Sequence, residues 1–280
     1  MYISKIIPLA HLPFSSEQVF DYFSKENLAR GSIVEIELAK KLKLGFVLES
    51  NPVEGLKAYI KRLTFTLKPI KKVVLRNPFF TEQQVQLAIF LSEYFAAPLS
   101  LSFKKFFLYP LNFYKNLEGD YLIKDLRFTN HESQVFFADD FDEKVLAKIK
   151  NTIRESKQVL VLAPSIFDSE IHTKKMQVLR PFTVGEKKNV EDLKKIRNGK
   201  VGVVIANKSG IFLPFADVDL IIVLEEDSEH YKFWGQKPYF HAKIAAEKLA
   251  RLYRAQLILV SQTPSVETYF KIKQKQIARV

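Results

Sequence analysis

DLIIVLEED, Asp219–Asp227, decides the fold. Its apolar residues run unbroken from Leu220 to Leu224 and stop at three acids. A strand with one wet face alternates in polarity, whereas an unbroken run belongs to a strand buried on both faces, as in a parallel sheet covered by helices. Three further runs share this design: KQVLVLAPS (157–165), KVGVVIANKSG (200–210) and AQLILVSQTPS (255–265). Helical stretches separate them: FDEKVLAKIKNTIRES (141–156), GEKKNVEDLKKIRNG (185–199) and FHAKIAAEKLARLYR (240–254). Such alternation predicts an α/β domain with a parallel sheet over residues 131–280. Function in these sheets gathers at the carboxyl ends of the strands. Those ends are Pro164–Ser165, Asn207–Ser209, Glu225–Asp227 and Gln262–Pro264.

Residues 1–110 read differently. SKIIPLA and GSIVEIELAKKLKLGFVLES are β-branched, and the second alternates Val34, Ile36 and Leu38 against Ile33, Glu35 and Glu37. This predicts a small β-rich domain of half-buried strands. EGLKAYIKRLTFTLKPIKKVV adds one or two strands, broken at Pro69. TEQQVQLAIFLSEYFA is an amphipathic helix with Thr81 as N-cap, Val85, Leu87, Ala88, Leu91, Tyr94 and Phe95 at helical spacing, and Pro98 as its stop. Residues 111–130 form a connector too rich in Phe and Tyr for a free linker.

The composition narrows the function. The 280 residues contain no cysteine, which excludes disulfides and thiolate metal sites and points to a reducing compartment. Five scattered histidines make no metal-ligand pattern, so neither metal nor cofactor is expected. The amino terminus is too broken for a signal peptide, and no run reaches the roughly 20 apolar residues that cross a bilayer. A cytoplasmic chain without membrane contact is the expectation. The net charge of +12 is shared by both halves and attracts polyanions, nucleic acid above all, unless it is a general solubility charge.

Four ordered motifs carry a resemblance: KQVLVLAPSI, SGIFLPFADVDLIIVLEED, YKFWGQKPYFHAK and ILVSQTPSVET. They resemble the first RecA-like lobe of the PriA family, the primosomal protein N′ helicases of bacterial replication restart. QVFDYFS, GSIVEIEL, LGFVLE, LKPIKKVV and FFTEQQVQLAIFLSEYFAAPL resemble that family's 3′-end DNA-binding domain. The resemblance covers residues 2–110 and about 131–270. It implies a P-loop NTPase fold, with a winged helix missing between the parts and no second RecA lobe after them.

The resemblance also marks departures. A P-loop needs glycines, whose N–H groups wrap the phosphates, and a lysine. The matching stretch, SQVFFADDFDEK (133–144), has no glycine and offers Asp139 and Asp140. Leu224 stands where the family has the magnesium-binding Asp; Glu225 and Glu226 survive. These residues form a degenerate nucleotide site, and the chain is expected to be no enzyme. The acids after LIIV are then a solvated loop or a weak cation site.

For DNA, the resemblance implies a pocket for a 3′ end: Phe20 packing on the terminal base, Asp21 accepting from its edge, and Lys68 meeting the backbone. Ala39 falls near the family's turn glycine. Each residue has a plainer role open to it, as core, cap or surface charge. A second surface, EHYKFWGQKPYFHAK (229–243), interleaves Tyr231, Phe233, Trp234 and Tyr239 with Lys232, Lys237, His241 and Lys243. Aromatics stack bases and lysines take phosphates on single strands, although a hydrophobic plug under a loop reads the same way. The expected partners are DNA 3′ ends, forks and single strands, with replication or repair proteins beside them. The alternatives are a protein-interaction module or a pseudo-helicase subunit completed by another chain.

Overall fold

The computed structural model describes residues 1–60, 66–76, 80–107, 134–165, 168–169, 176–177, 181–183, 190–235 and 237–280. The chain separates into two compact units, Met1–Tyr121 and Leu122–Val280. The expected connector at 111–130 lies outside the described residues.

Unit one holds a six-stranded sheet in the order β5-β2-β1-β4-β3-β6. Its strands are β1 (Tyr2–Pro8), β2 (Phe20–Ser24), β3 (Ile33–Leu38), β4 (Lys41–Pro52), β5 (Lys68–Pro69) and β6 (Lys72–Leu75). All pairings are antiparallel except β2 with β5. β4 crosses β1 at close range: a Cβ on Gly45 would lie 2.3 Å from Ile6 Cγ2. Expected strand in EGLKAYI is instead a short helical turn ending at Ile60, and FDYFS adds a strand that propensity had not marked. Pro69 sits on an edge strand, where a missing N–H costs no ladder bond.

Helix α1 (Glu82–Tyr94) begins as expected: Thr81 Oγ1 accepts from Gln84 N at 3.2 Å, and Gln84 Oε1 accepts from Thr81 N at 3.0 Å. This reciprocal box satisfies two N–H groups at the helix start. The stop differs from expectation. Ala96 turns left-handed at φ +47°, ending the helix before Pro98, which instead opens α2 (Leu99–Lys104). Tyr94 is exposed, while Val85, Leu87, Ala88 and Leu91 enter the core beside Phe46, Phe80 and Phe103.

Unit two is a seven-stranded parallel sheet in the order β13-β7-β12-β11-β8-β10-β9. The four expected strands are β8 (Gln158–Leu162), β10 (Val203–Ala206), β11 (Val218–Leu224) and β12 (Gln256–Val260). Three more join them: β7 (Val135–Ala138), β9 (Phe182–Thr183) and β13 (Ala278–Arg279). The longer helices among the described residues are α3 (Glu143–Arg154), α4 (Val190–Arg197), α5 (Ala242–Tyr253) and α6 (Val266–Lys273). β8 and β10 are wholly buried, as unbroken apolar runs require.

Gln158 is a polar residue at the mouth of this core, 2% exposed. Its Nε2 donates to Ile196 O and Val201 O, and its Oε1 accepts from Ala216 N and Asp217 N. All four bonding positions of the amide are filled, which removes the penalty for burying it. Gly210 permits another close approach, since a Cβ there would meet Ala206 Cβ at 2.7 Å. No helix among the described residues is long and apolar enough to cross a membrane.

Candidate functional site

The carboxyl ends of β7, β11 and β12 surround a cleft of about 620 Å³. Asp139, Asp140, Asp168, Glu225 and Asp227 line it together with Leu224 and Ser261. A strand, a short loop and a helix occur in sequence at 135–154, the local arrangement of a phosphate site. Here a carboxylate already fills the anion's place: Asp142 Oδ1 accepts from Lys144 N and Val145 N, both at 3.0 Å. Asp140 Oδ1 likewise accepts from Phe141 N. Asp139 pairs with Arg279 at 3.2 Å.

The acids after β11 diverge. Leu224 is buried and presents no carboxylate. Glu225 is exposed on a left-handed backbone, φ +47°. Partial desolvation among the cleft walls, then the charges of Asp168 and Asp227, raise its carboxyl pKa. Glu226 turns away from the cleft into the core, 1% exposed. Its Oε2 accepts from Lys243 Nζ at 2.7 Å and Ser265 Oγ at 2.9 Å, and its Oε1 accepts from Ser265 N at 2.7 Å. Expected as part of a nucleotide site, Glu226 is half of a buried ion pair. Among the described residues, no group of three or more His, Asp or Glu is placed to hold a metal ion.

The aromatic segment after the acids is a pinned loop. Lys232 bridges His241, Phe233 N donates to Phe240 O, and the two rings stack at 4.0 Å. Phe212 packs edge-on to Phe240, and Lys208 Nζ lies 4.6 Å over the Phe233 ring. Burial lowers the Lys208 pKa. The loop presents Trp234, 70% exposed, Tyr239, 52% exposed, and Lys237. Lys232 lies over the Trp234 ring and pairs with Glu229.

Two expected contacts are corrected. Tyr231 is fully buried, its hydroxyl within hydrogen-bond distance of Leu224 O (2.6 Å) and Leu162 O (2.9 Å), so no base can reach it. Lys243 is 7% exposed and neutralised by Glu226, so no phosphate can reach it. His241 has a structural task as well. Its Nδ1 accepts from Lys243 N at the start of α5, and burial, then Lys243 and Lys232, lower its pKa.

In unit one the pleat separates Asp21 from Phe20. Alternation along β2 turns Phe20 and Tyr22 to the core and Asp21 to the other face. Asp21 sits opposite Lys5, whose pKa is raised first by its hydrogen bond to Glu49 and in smaller part by Asp21. Lys68 is opposite Tyr22 and held by Glu37 at 2.8 Å, with Lys71 on the other oxygen at 3.5 Å. The hydrogen bond and charge of Lys68 lower the Glu37 pKa. Ala39, at φ +48°, does occupy a turn position suited to glycine.

Residues 8–107 match the 3′ DNA-binding domain (3′BD) of PriA. The chain is 27% identical to the replication restart protein PriA of Helicobacter pylori over 92% of its own length and 43% of that protein. To PriA of Rickettsia prowazekii it is 26% identical over 98% of itself and 44% of the relative. It thus spans less than half the length of these relatives. Among solved structures, the C-terminal domain of S. cerevisiae Dbp5, bound to Gle1 and IP6, aligns with 53% of this chain and 89% of its own at 11% identity and a TM-score of 0.35. The fold stands on the strand order above, not on that likeness. Residues 8–107 are thus similar to the PriA 3′BD, and most of the chain is similar to the PriA proteins of these two organisms.

Proposed function

We propose that the chain is a DNA-binding PriA relative that holds 3′-ended or forked DNA in replication restart or repair without hydrolysing ATP or unwinding the duplex. The match of residues 8–107 to a 3′ DNA-binding domain carries the first half. The acidic cleft supports the second. Its helix N-terminus is already capped by Asp142, and five carboxylates line the space a triphosphate would enter. Like charges repel, and of these five carboxylates only Asp139 has an ion-pair partner, Arg279, among the described residues. The exposed Trp234 and Tyr239, beside Lys237, supply a stacking surface for single strands in unit two.

The test is anisotropy of labelled oligonucleotides, run on tailed duplexes and forks with a free or a phosphorylated 3′ end. Binding that prefers the free end and weakens with salt is expected. No binding at low salt overturns the reading. An ATPase assay with the same DNA is expected to stay at background, and DNA-stimulated turnover overturns the pseudoenzyme half. Trp234 is the chain's single tryptophan, so a change in tryptophan emission on adding single strands reports contact at that residue.

A further inference from the structure

The turn between β3 and β4 contains two residues, Ala39 and Lys40, because Leu38 pairs with Lys41. Both have positive φ, +48° and +62°. Hairpin turns of this kind favour Asn-Gly or Asp-Gly, which reach positive φ at little cost. This one places a lysine in the strained position. Lys40, Lys41 and Lys43 are all exposed, and none forms an ion pair among the described residues. By contrast, three other lysines of this domain are paired: Lys5 with Glu49, and Lys68 and Lys71 with Glu37.

Geometry adds to charge. Lys41 and Lys43 are two residues apart on one strand, so they share a face at about 6.8 Å. The phosphates of one DNA strand advance about 3.4 Å each along the duplex axis, so two such lysines on long side chains reach separate phosphates of one strand. Leu42, 58% exposed, points to the opposite face.

We propose that this hairpin is a backbone clamp: Lys40, Lys41 and Lys43 hold the phosphates of a duplex arm, beside the DNA end taken by the same domain. The idea rests on the DNA-binding reading above and deepens it by assigning the duplex to a definite ribbon.

The test compares the full chain with a Lys40→Gly, Lys41→Gln, Lys43→Gln variant on a duplex carrying a 3′ end and on a 3′-ended single strand, across a salt series. Glycine favours the turn, so the variant keeps the hairpin, and circular dichroism and melting verify this. The expected result is a tenfold or greater loss on the duplex and a salt slope shallower by about 2 to 3, since each phosphate neutralised by a lysine adds about 0.9 to it. Single-strand affinity changes less than about twofold, and Leu42→Gln leaves the slope on the duplex unchanged. An unchanged slope in the triple variant, with normal binding by the parent chain, sinks the clamp alone. A parent chain that binds no DNA sinks both the clamp and the reading beneath it.

Discussion

Lys243 and Glu226 show how position outweighs residue type. Both look like surface groups for binding, yet they lie on a buried face and neutralise one another. Lys243→Ala strands Glu226 in the core and is expected to cost about 3–5 kcal/mol, read as an earlier unfolding transition of unit two. Replacing both by Met restores most of that loss, because no charge is then left unpaired. Glu37 offers the opposite experiment. Glu37→Gln releases Lys68 and Lys71, so DNA affinity rises and the salt slope steepens by about 1 to 2, measured by anisotropy. Glu225 supplies a pH signature. Its carboxyl titrates above the usual range, so the folded state takes up its proton before the unfolded chain does. The charged form therefore weakens the fold near neutrality, and stability recovers as pH falls through the raised pKa toward the ordinary carboxylate value. Glu225→Gln is expected to raise the melting temperature at pH 7 and to give no gain below about pH 4.5, where a free Glu is itself protonated.

Individual elements obey their own local chemistry. The Ala39–Lys40 turn pays for its left-handed backbone, and Ala39→Gly is expected to stabilise unit one by about 1 kcal/mol in denaturant titration. Loss of the Thr81 cap through Thr81→Ala is expected to cost about 1 kcal/mol in the same titration. These elements also mark what the sequence discloses. Unbroken apolar runs announced β8, β10, β11 and β12, and Thr81 with the apolar residues at helical spacing behind it announced α1. β9 and β13 have two residues each, too few for any periodic signal, and the register of their neighbours places them. Motif reading located the segments at 133–144 and 229–243 but not the directions of their side chains. Tyr231 and Lys243 are held inward by the carbonyls of Leu162 and Leu224 and by the Glu226 carboxylate, partners that no local pattern names. Phe20 and Asp21 are neighbours in sequence, yet the pleat sends them to opposite faces.

At the scale of the molecule, two sheets of different logic carry two chemistries. The first unit is mostly antiparallel and locally paired, and it offers cations on a hairpin; the second is parallel and gathers carboxylates where its strands end. A net charge of +12 therefore conceals a strongly negative cleft.

The pairing of β7 has a consequence for biosynthesis. Val135 is aligned with Leu257, so the strand that leaves the ribosome first in unit two meets its central neighbour only about 120 residues later. At ordinary elongation rates of 5–20 residues per second that interval is roughly 6–24 s. Throughout it Phe136 and Phe137 wait on a nascent chain without a mate, a window in which chaperones can bind or a misdirected strand can pair.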